Sequence, residues 1–155
     1  MKEKWSEEVW TDDIELAFAV ISGKVSNAIN RVMIRQFRND EIDMTPEQWL
    51  VMTCLWHKVV GERPTQNMIA QATFKDRPSI TRLLRNLERQ ELIVRSEKDG
   101  DKRANYVMLT EKGKALHEKV KNVIVKGLES VFYGFSEDEV KTAINLLGRV
   151  FANLQ

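Results

Sequence analysis

The sequence predicts a mainly α-helical fold with one small β-hairpin, an α+β arrangement. Two observations predict it. Apolar residues recur every three or four positions over most of the 155-residue chain, which is typical of amphipathic helices. Between residues 93 and 110, two short apolar runs with β-branched residues instead flank a charged cluster that contains Asp99-Gly100, which is typical of a tight hairpin turn.

The first helical segment covers residues 12–38, and its apolar residues form a single stripe. A helix of this length measures roughly 40 Å at about 1.5 Å per residue. A small core cannot cover such a stripe, so we expect a second copy of the chain to cover it. The stripe consists of Ile14, Phe18, Ile21, Val25, Ile29, Val32 or Met33, and Phe37.

Residues 111–155 add two further helical stripes, the second of which starts after a capping signal at Ser136. Together with residues 12–38 they are expected to form dimerisation helices around a two-fold interface. The alternative is a three-helix cap within one chain.

Residues 45–74 contain two signals for the start of a helix. Thr45-Pro46-Glu47-Gln48 has the form of a capping box with proline at the first helical position, and the helix that follows is expected to stop at Gly61. Thr65 is the candidate cap of a short helix that ends near Phe74.

A third helix begins near Pro78, with Asp76 or Ser79 as its cap. Its apolar residues share one face, while its arginines lie mostly on the other. The apolar face consists of Ile80, Leu83, Leu84, Leu87 and Leu92, and the arginines are Arg82, Arg85 and Arg89.

An arginine-bearing helix face is, by itself, more often a solvated surface than a binding site. Here two helices precede it and a hairpin with a charged tip follows it directly. That order predicts a winged helix-turn-helix core over residues 45–110, in which the third helix and the hairpin contact adjacent grooves of duplex DNA.

Several short patterns between residues 76 and 113 resemble those of the MarR family of bacterial transcriptional regulators. They comprise a Thr-Arg-Leu-Leu helix, an Asp-x-Arg hairpin tip and a Leu-Thr-x-x-Gly exit into the next helix. In this chain they are Thr81-Arg82-Leu83-Leu84, Asp101-Lys102-Arg103 and Leu109-Thr110-Glu111-Lys112-Gly113, with Leu87-Glu88, Leu92-Ile93 and Arg95 between them.

This resemblance implies one MarR-type domain over residues 1–155, a homodimer with interdigitating first and last two helices, and repression as the default mode. One residue departs from the pattern. Glu91 stands where the family usually has glycine, which implies backbone strain of about 1 kcal/mol or a different helix ending.

The predicted DNA contacts follow from the two-fold geometry on an inverted-repeat operator. The third helix is expected to enter the major groove and the hairpin tip the minor groove, while the start of the second helix can bond to phosphate. The candidates are Ser79, Thr81, Arg82, Arg85 and Asn86 on the third helix, Lys102 and Arg103 at the tip, and Thr65 and Gln66 at the start of the second helix.

Asp101 cannot favour DNA directly because it is an anion. The resemblance implies that it braces the wing by pairing with Arg95 or Arg103; a plain solvated carboxylate is the alternative.

Trp49, Met52 and Trp56 lie on one face of a helix and are candidates for a pocket that takes a small apolar or aromatic effector, as the resemblance implies. A stripe of this kind is more often plain core. Cys54 is expected to be a buried core residue, since no cation directly beside it favours its thiolate.

Composition limits the remaining possibilities. The chain has a net charge of +1, but residues 75–103 hold nine lysines and arginines against six aspartates and glutamates, a net charge of +3. We expect no membrane span, no cofactor, no dedicated metal site and no catalytic set, and we expect a cytoplasmic protein. The alternative function is a winged-helix scaffold that binds protein instead of DNA.

Overall fold

The computed structural model describes residues 13–98 and 101–154, with only the backbone at residues 97, 98 and 101–105. The described part is mainly helical with one two-stranded antiparallel sheet, which confirms the predicted fold class. The elements are α1 (Ile14–Asn39), α2 (Pro46–Trp56), α3 (Gln66–Ala72), α4 (Arg77–Arg89), β1 (Ile93–Lys98), β2 (Asp101–Leu109), α5 (Glu111–Glu129) and α6 (Glu137–Ala152).

Each described helix begins at a residue whose side-chain oxygen accepts a backbone N–H of the first turn. The capping box predicted at Thr45 is complete, because Gln48 N donates to Thr45 Oγ1 at 3.2 Å and Thr45 N donates to Gln48 Oε1 at 2.8 Å. The start predicted at Ser136 is also a complete box. The caps are Asp13, Thr45, Thr65, Asp76, Thr110 and Ser136.

The first four helices all end at a left-handed residue that is not glycine. After α4, Glu91 has φ of 59°, and the amides of Glu91 and Leu92 donate to Glu88 O and Leu87 O at 2.9 and 3.0 Å. This is the Schellman arrangement, in which glycine would normally supply the left-handed residue. Of the two outcomes expected at Glu91, the structure has the usual left-handed ending with a residue other than glycine in it. The other left-handed residues are Glu41, Lys58 and Phe74.

The end of α2 differs from the expectation. The helix stops at Trp56 with Lys58 in the left-handed conformation, so the stop predicted at Gly61 was wrong by several residues. The physical reason is that the backbone bond from Val59 N to Cys54 O, at 3.0 Å, closes the last turn before glycine is reached.

The buried core lies between the second half of α1, the helices α2 to α4, the hairpin and α5. Cys54 is part of this interior, and burial raises the pKa of its thiol, which favours the protonated form. The side chains with the least exposure include Phe37, Met52, Ile69, Ile80, Leu84, Leu87, Ile93, Val107 and Val120.

The hairpin is attached to the loop before α3. Val107 N donates to Pro64 O at 2.8 Å, and Thr65 forms an isolated bridge with Tyr106. Strand β2 begins at Asp101, five residues before the run predicted from Tyr106, and the pairing becomes irregular between Glu97 and Lys98. The backbone pairing extends further than the apolar pattern because it does not need apolar side chains.

The two ends of the chain keep their apolar stripes exposed. The second half of α1 packs on α5, where Gly127 lies against Gln36, but the first half of α1 and the whole of α6 contain no buried residue. No helix in the described ranges has both the length and the apolar content needed to cross a membrane. The exposed residues include Ile14, Phe18, Ile21, Val25, Ile144, Leu147, Val150, Phe151 and Leu154.

Candidate nucleic-acid interface

Helix α4 has the two faces that the sequence predicts. Asp76 caps it, since Ser79 N donates to Asp76 Oδ1 at 2.6 Å, and this hydrogen bond holds the pKa of Asp76 below its usual value. Ser79 is therefore in the first turn and is not the cap. The buried face consists of Ile80, Leu83, Leu84 and Leu87, while Arg82, Arg85 and Arg89 are exposed.

Arg82 and Arg85 are available to a ligand. Neither guanidinium makes a hydrogen bond or salt bridge with the side chains that the structure describes. Asn86, on the same helix, accepts a hydrogen bond at Oδ1 from Arg89 Nη2 at 2.5 Å. Arg82 also helps to lower the pKa of the cap residue Asp76 through its charge.

Two hydrogen bonds connect α3 to α4. Gln66 Nε2 donates to Thr81 Oγ1 at 2.6 Å, and Arg77 Nε donates to Asn67 Oδ1 at 2.9 Å. Thr65 caps α3 by accepting from Met68 N at 3.4 Å. The structure therefore brings Gln66 and Thr81 into contact, which their sequence separation of fifteen gave no means of predicting.

The predicted wing-tip contacts lie outside the described side chains. This applies to Lys102 and Arg103, and also to Asp101, whose pairing with an arginine stays a prediction. Arg95 is described, and its Nε donates to Glu88 Oε2 at 3.0 Å, with Nη2 bonded to the same oxygen. This bond holds the pKa of Glu88 below its ordinary value.

Sequence reasoning missed one cation near this surface. The Arg63 guanidinium carbon lies 4.4 Å from the centre of the Tyr106 ring, which is a cation–π contact between the loop before α3 and strand β2. The sequence signal was only a basic residue two positions before the Thr65 cap. The contact depends on the fold that brings β2 beside that loop.

The three residues predicted to line an effector pocket do not share one surface in the structure. Met52 is fully buried in the core, whereas Trp49 and Trp56 border a groove of about 120 Å³ together with His57 and His117. Trp56 Nε1 donates to Gly113 O at 2.8 Å, and its ring stacks on His117 with 4.9 Å between ring centres. The groove is smaller than most ligand pockets, which measure roughly 300–1,000 Å³.

Comparisons with known proteins agree with this geometry. The structure is similar to a MarR-family transcriptional regulator from Rhodococcus sp. RHA1, with 17% identity, a TM-score of 0.78 and coverage of 90% of this chain and 96% of that chain; at this identity the likeness concerns the fold. It is also similar to MepR from Staphylococcus aureus in complex with DNA, with 26% identity, a TM-score of 0.74 and coverage of 88% and 97%.

MepR in its DNA-binding conformation gives a further match, with 26% identity, a TM-score of 0.73 and coverage of 89% of this chain and 98% of that chain. The family described as transcriptional regulator SarA/Rot matches residues 33–120, which is more than half of the chain. The matched residues include α2 to β2 and the adjoining parts of α1 and α5. The chain therefore belongs to the SarA/Rot family of transcriptional regulators and has the winged-helix fold of MarR-type proteins.

Proposed function

We propose that the chain regulates transcription by binding double-stranded DNA in a sequence-specific manner as a homodimeric repressor. The observation that carries the proposal is the exposed face of α4, where Arg82 and Arg85 make no hydrogen bond or salt bridge with the described side chains and Thr81 is joined to Gln66 at the start of α3. Arginine is the residue that most often contacts guanine edges and phosphates. MepR, a relative at 26% identity, has been solved with DNA.

The distribution of charge favours DNA binding by a dimer over DNA binding by a monomer. Residues 75–103 carry a net charge of +3 in a chain of +1, so the rest of the chain is negative. Neutralising few phosphates releases few counterions, which gives weak binding with a shallow salt dependence. A dimer doubles the number of phosphates that are contacted and gives the affinity that a monomer lacks.

The exposed apolar stripes supply the dimer interface of the proposal. On α6, Ile144 and Leu147 are 62% and 53% exposed, and on α1 Ile14 is 80% exposed. A helix with an apolar stripe on its surface marks a surface that another chain covers. A second copy that packs α1 and α6 against their counterparts buries both stripes under two-fold symmetry.

In such a dimer the two α4 helices enter successive major grooves of an inverted repeat. Ser79, Thr81, Arg82, Arg85 and Asn86 then approach base edges, and Thr65 approaches a phosphate. The hairpin tips reach the flanking minor grooves with Lys102 and Arg103, and Asp101 braces the tip through Arg95 or Arg103.

Release by a small effector is the regulatory part of the proposal. The groove beside Trp49 and Trp56 is the candidate site, while Met52 is buried in the core. Its volume of about 120 Å³ accommodates a ligand of only a few heavy atoms unless the groove widens. Enhanced or quenched tryptophan emission on titration with small aromatic acids tests this part separately.

A mobility shift on the intergenic DNA beside the chain's own gene, across a salt series, tests DNA binding. Specific binding should weaken in the Arg82→Ala and Arg85→Ala variants. Where a variant loses a phosphate contact, the salt slope, which is the slope of the logarithm of the binding constant against the logarithm of the salt concentration, should fall in magnitude by about 1. Lys121→Ala is the matched control, since Lys121 is an exposed cation on α5. Absent or salt-insensitive binding to duplex DNA contradicts the proposal and favours a protein-binding scaffold.

A further inference from the structure

Gln66 and Thr81 form the closest polar contact between α3 and α4, with 2.6 Å from Gln66 Nε2 to Thr81 Oγ1. Both side chains are half-buried. Thr81 lies next to Arg82 and one helical turn before Arg85, so the contact is at the edge of the exposed arginine face of α4.

The hydroxyl of Thr81 fixes the orientation of the Gln66 amide. Thr81 Oγ1 lies 2.8 Å from Arg77 O, and because a carbonyl oxygen only accepts, Thr81 donates its single proton there. Toward Gln66, the hydroxyl oxygen can then only accept a hydrogen bond. The nitrogen of the Gln66 amide must therefore face Thr81, and the oxygen must face away from it.

This orientation leaves two groups of Gln66 unused within the contact. They are Oε1, which accepts, and the second N–H of Nε2, which donates. An adenine in the major groove presents a donor at N6 and an acceptor at N7, and a glutamine amide can bond to both at once. No other base presents that pair of groups on its major-groove edge.

We propose that Gln66 selects an A·T pair in each half of the bound DNA, and that Thr81 is the positioning residue that holds its amide for this purpose. The inference rests on the proposed function, since it requires that α3 and α4 face the major groove. It replaces the simpler expectation that Gln66 contacts a phosphate.

The test is a selection from a pool of randomised duplexes with the full-length chain and three variants. Wild type should enrich one A·T position in each half-site, and Gln66→Ala should lose that enrichment while the other positions remain. The expected preference for A·T over other pairs at that position is about fivefold to a hundredfold. Thr81→Val, which removes the hydroxyl, should reduce the same preference, and Thr81→Ser, which keeps it, should retain it.

Three outcomes contradict the inference in distinguishable ways. If Gln66→Ala keeps every base preference and only lowers the salt slope by about 1, Gln66 is a phosphate contact. If Thr81→Val keeps the preference that Gln66→Ala loses, Thr81 does not position the amide. If wild type enriches no sequence, the proposed function fails together with the inference. Equal thermal melting of Thr81→Val and Thr81→Ser separates a positioning effect from misfolding.

Discussion

Arg95 on β1 donates hydrogen bonds from both Nε and Nη2 to a single carboxylate oxygen of Glu88 on α4. The pair connects the helix that carries the exposed arginines to the first strand of the hairpin. Glu91, between the two partners, holds the left-handed conformation that reverses the chain. The ion pair and the backbone turn both connect α4 to the hairpin.

Glu88→Gln should lower the stability of the protein at neutral pH but not in acid. The folded-state pKa of Glu88 is depressed by the Arg95 hydrogen bond, so the pair stabilises the fold above the unfolded-state pKa of about 4.3. That contribution is lost as the pH falls through the lower folded-state pKa. Since Glu88 is more than a third exposed, we expect about 1 kcal/mol or less at pH 7.

Urea denaturation of wild type and Glu88→Gln between pH 3 and pH 7 measures this difference. Glu118→Gln is the control, because its contact with Lys121 on α5 is longer and more exposed. A difference in free energy of unfolding that stays constant over this pH range would show that the ion pair is not its source.

Glu91→Gly should stabilise the fold by about 0.5–1 kcal/mol. An L-residue in the left-handed region costs about 1–2 kcal/mol, and glycine avoids that cost but adds some flexibility to the unfolded chain. The contact of Glu91 with Lys112, at 3.4 Å, is highly exposed and contributes little. Thermal unfolding checks the gain. Glu118→Gly, in the interior of α5, should instead lower the free energy of unfolding by about 1 kcal/mol. An equal loss for Glu91→Gly would contradict the cost assigned to the left-handed conformation of Glu91.

Gly113→Ala should destabilise the fold by more than about 2 kcal/mol. A Cβ at this position would lie 2.0 Å from Leu92 O, which is backbone and cannot move without disturbing the start of the hairpin. Gly113 O also accepts from Trp56, so the glycine joins α2, α5 and the hairpin at one point. Lys114→Ala, at the next position, is exposed and should change the free energy of unfolding by about 0.5 kcal/mol or less. A Gly113→Ala variant as stable as wild type would refute the close approach.

Leu147→Asp and Ile144→Asp should convert the protein to a monomer. Each places a charge in the exposed stripe of α6, and a charge buried there without a partner disfavours the interface by several kcal/mol. Sedimentation equilibrium measures the mass in solution. Lys141→Asp, on α6, is the control, because Lys141 pairs only with Glu137 and Asp138 among the described side chains and should leave the mass unchanged. A wild-type protein that sediments as a monomer would contradict the two-fold interface.

The sequence predicted the starts of helices better than their ends. The caps at Thr45, Thr65 and Ser136 were foreseen and Asp76 was one of two candidates, because a cap is a local hydrogen bond between residues three positions apart. The stop of α2 was not foreseen. A left-handed residue is usually recognised as glycine, and here Lys58 takes that role.

Contacts between distant elements lay beyond sequence reasoning. The exposed face of α4 followed from periodicity, but the partners of Gln66 and Arg95 depend on how α3, α4 and β1 pack. Periodicity likewise grouped Met52 with Trp49 and Trp56, although Met52 is completely buried in the core. Spacing along one helix identifies a shared face and not the depth of each residue.

Hydroxyl-radical footprinting of the wild-type chain on the intergenic fragment tests the central proposal most directly. We expect two protected half-sites related by a two-fold axis, with centres about 10–10.5 base pairs apart or a multiple of this, as two copies of α4 in successive major grooves require. A single protected patch without two-fold symmetry, or uniform protection that disappears at moderate salt, would contradict it.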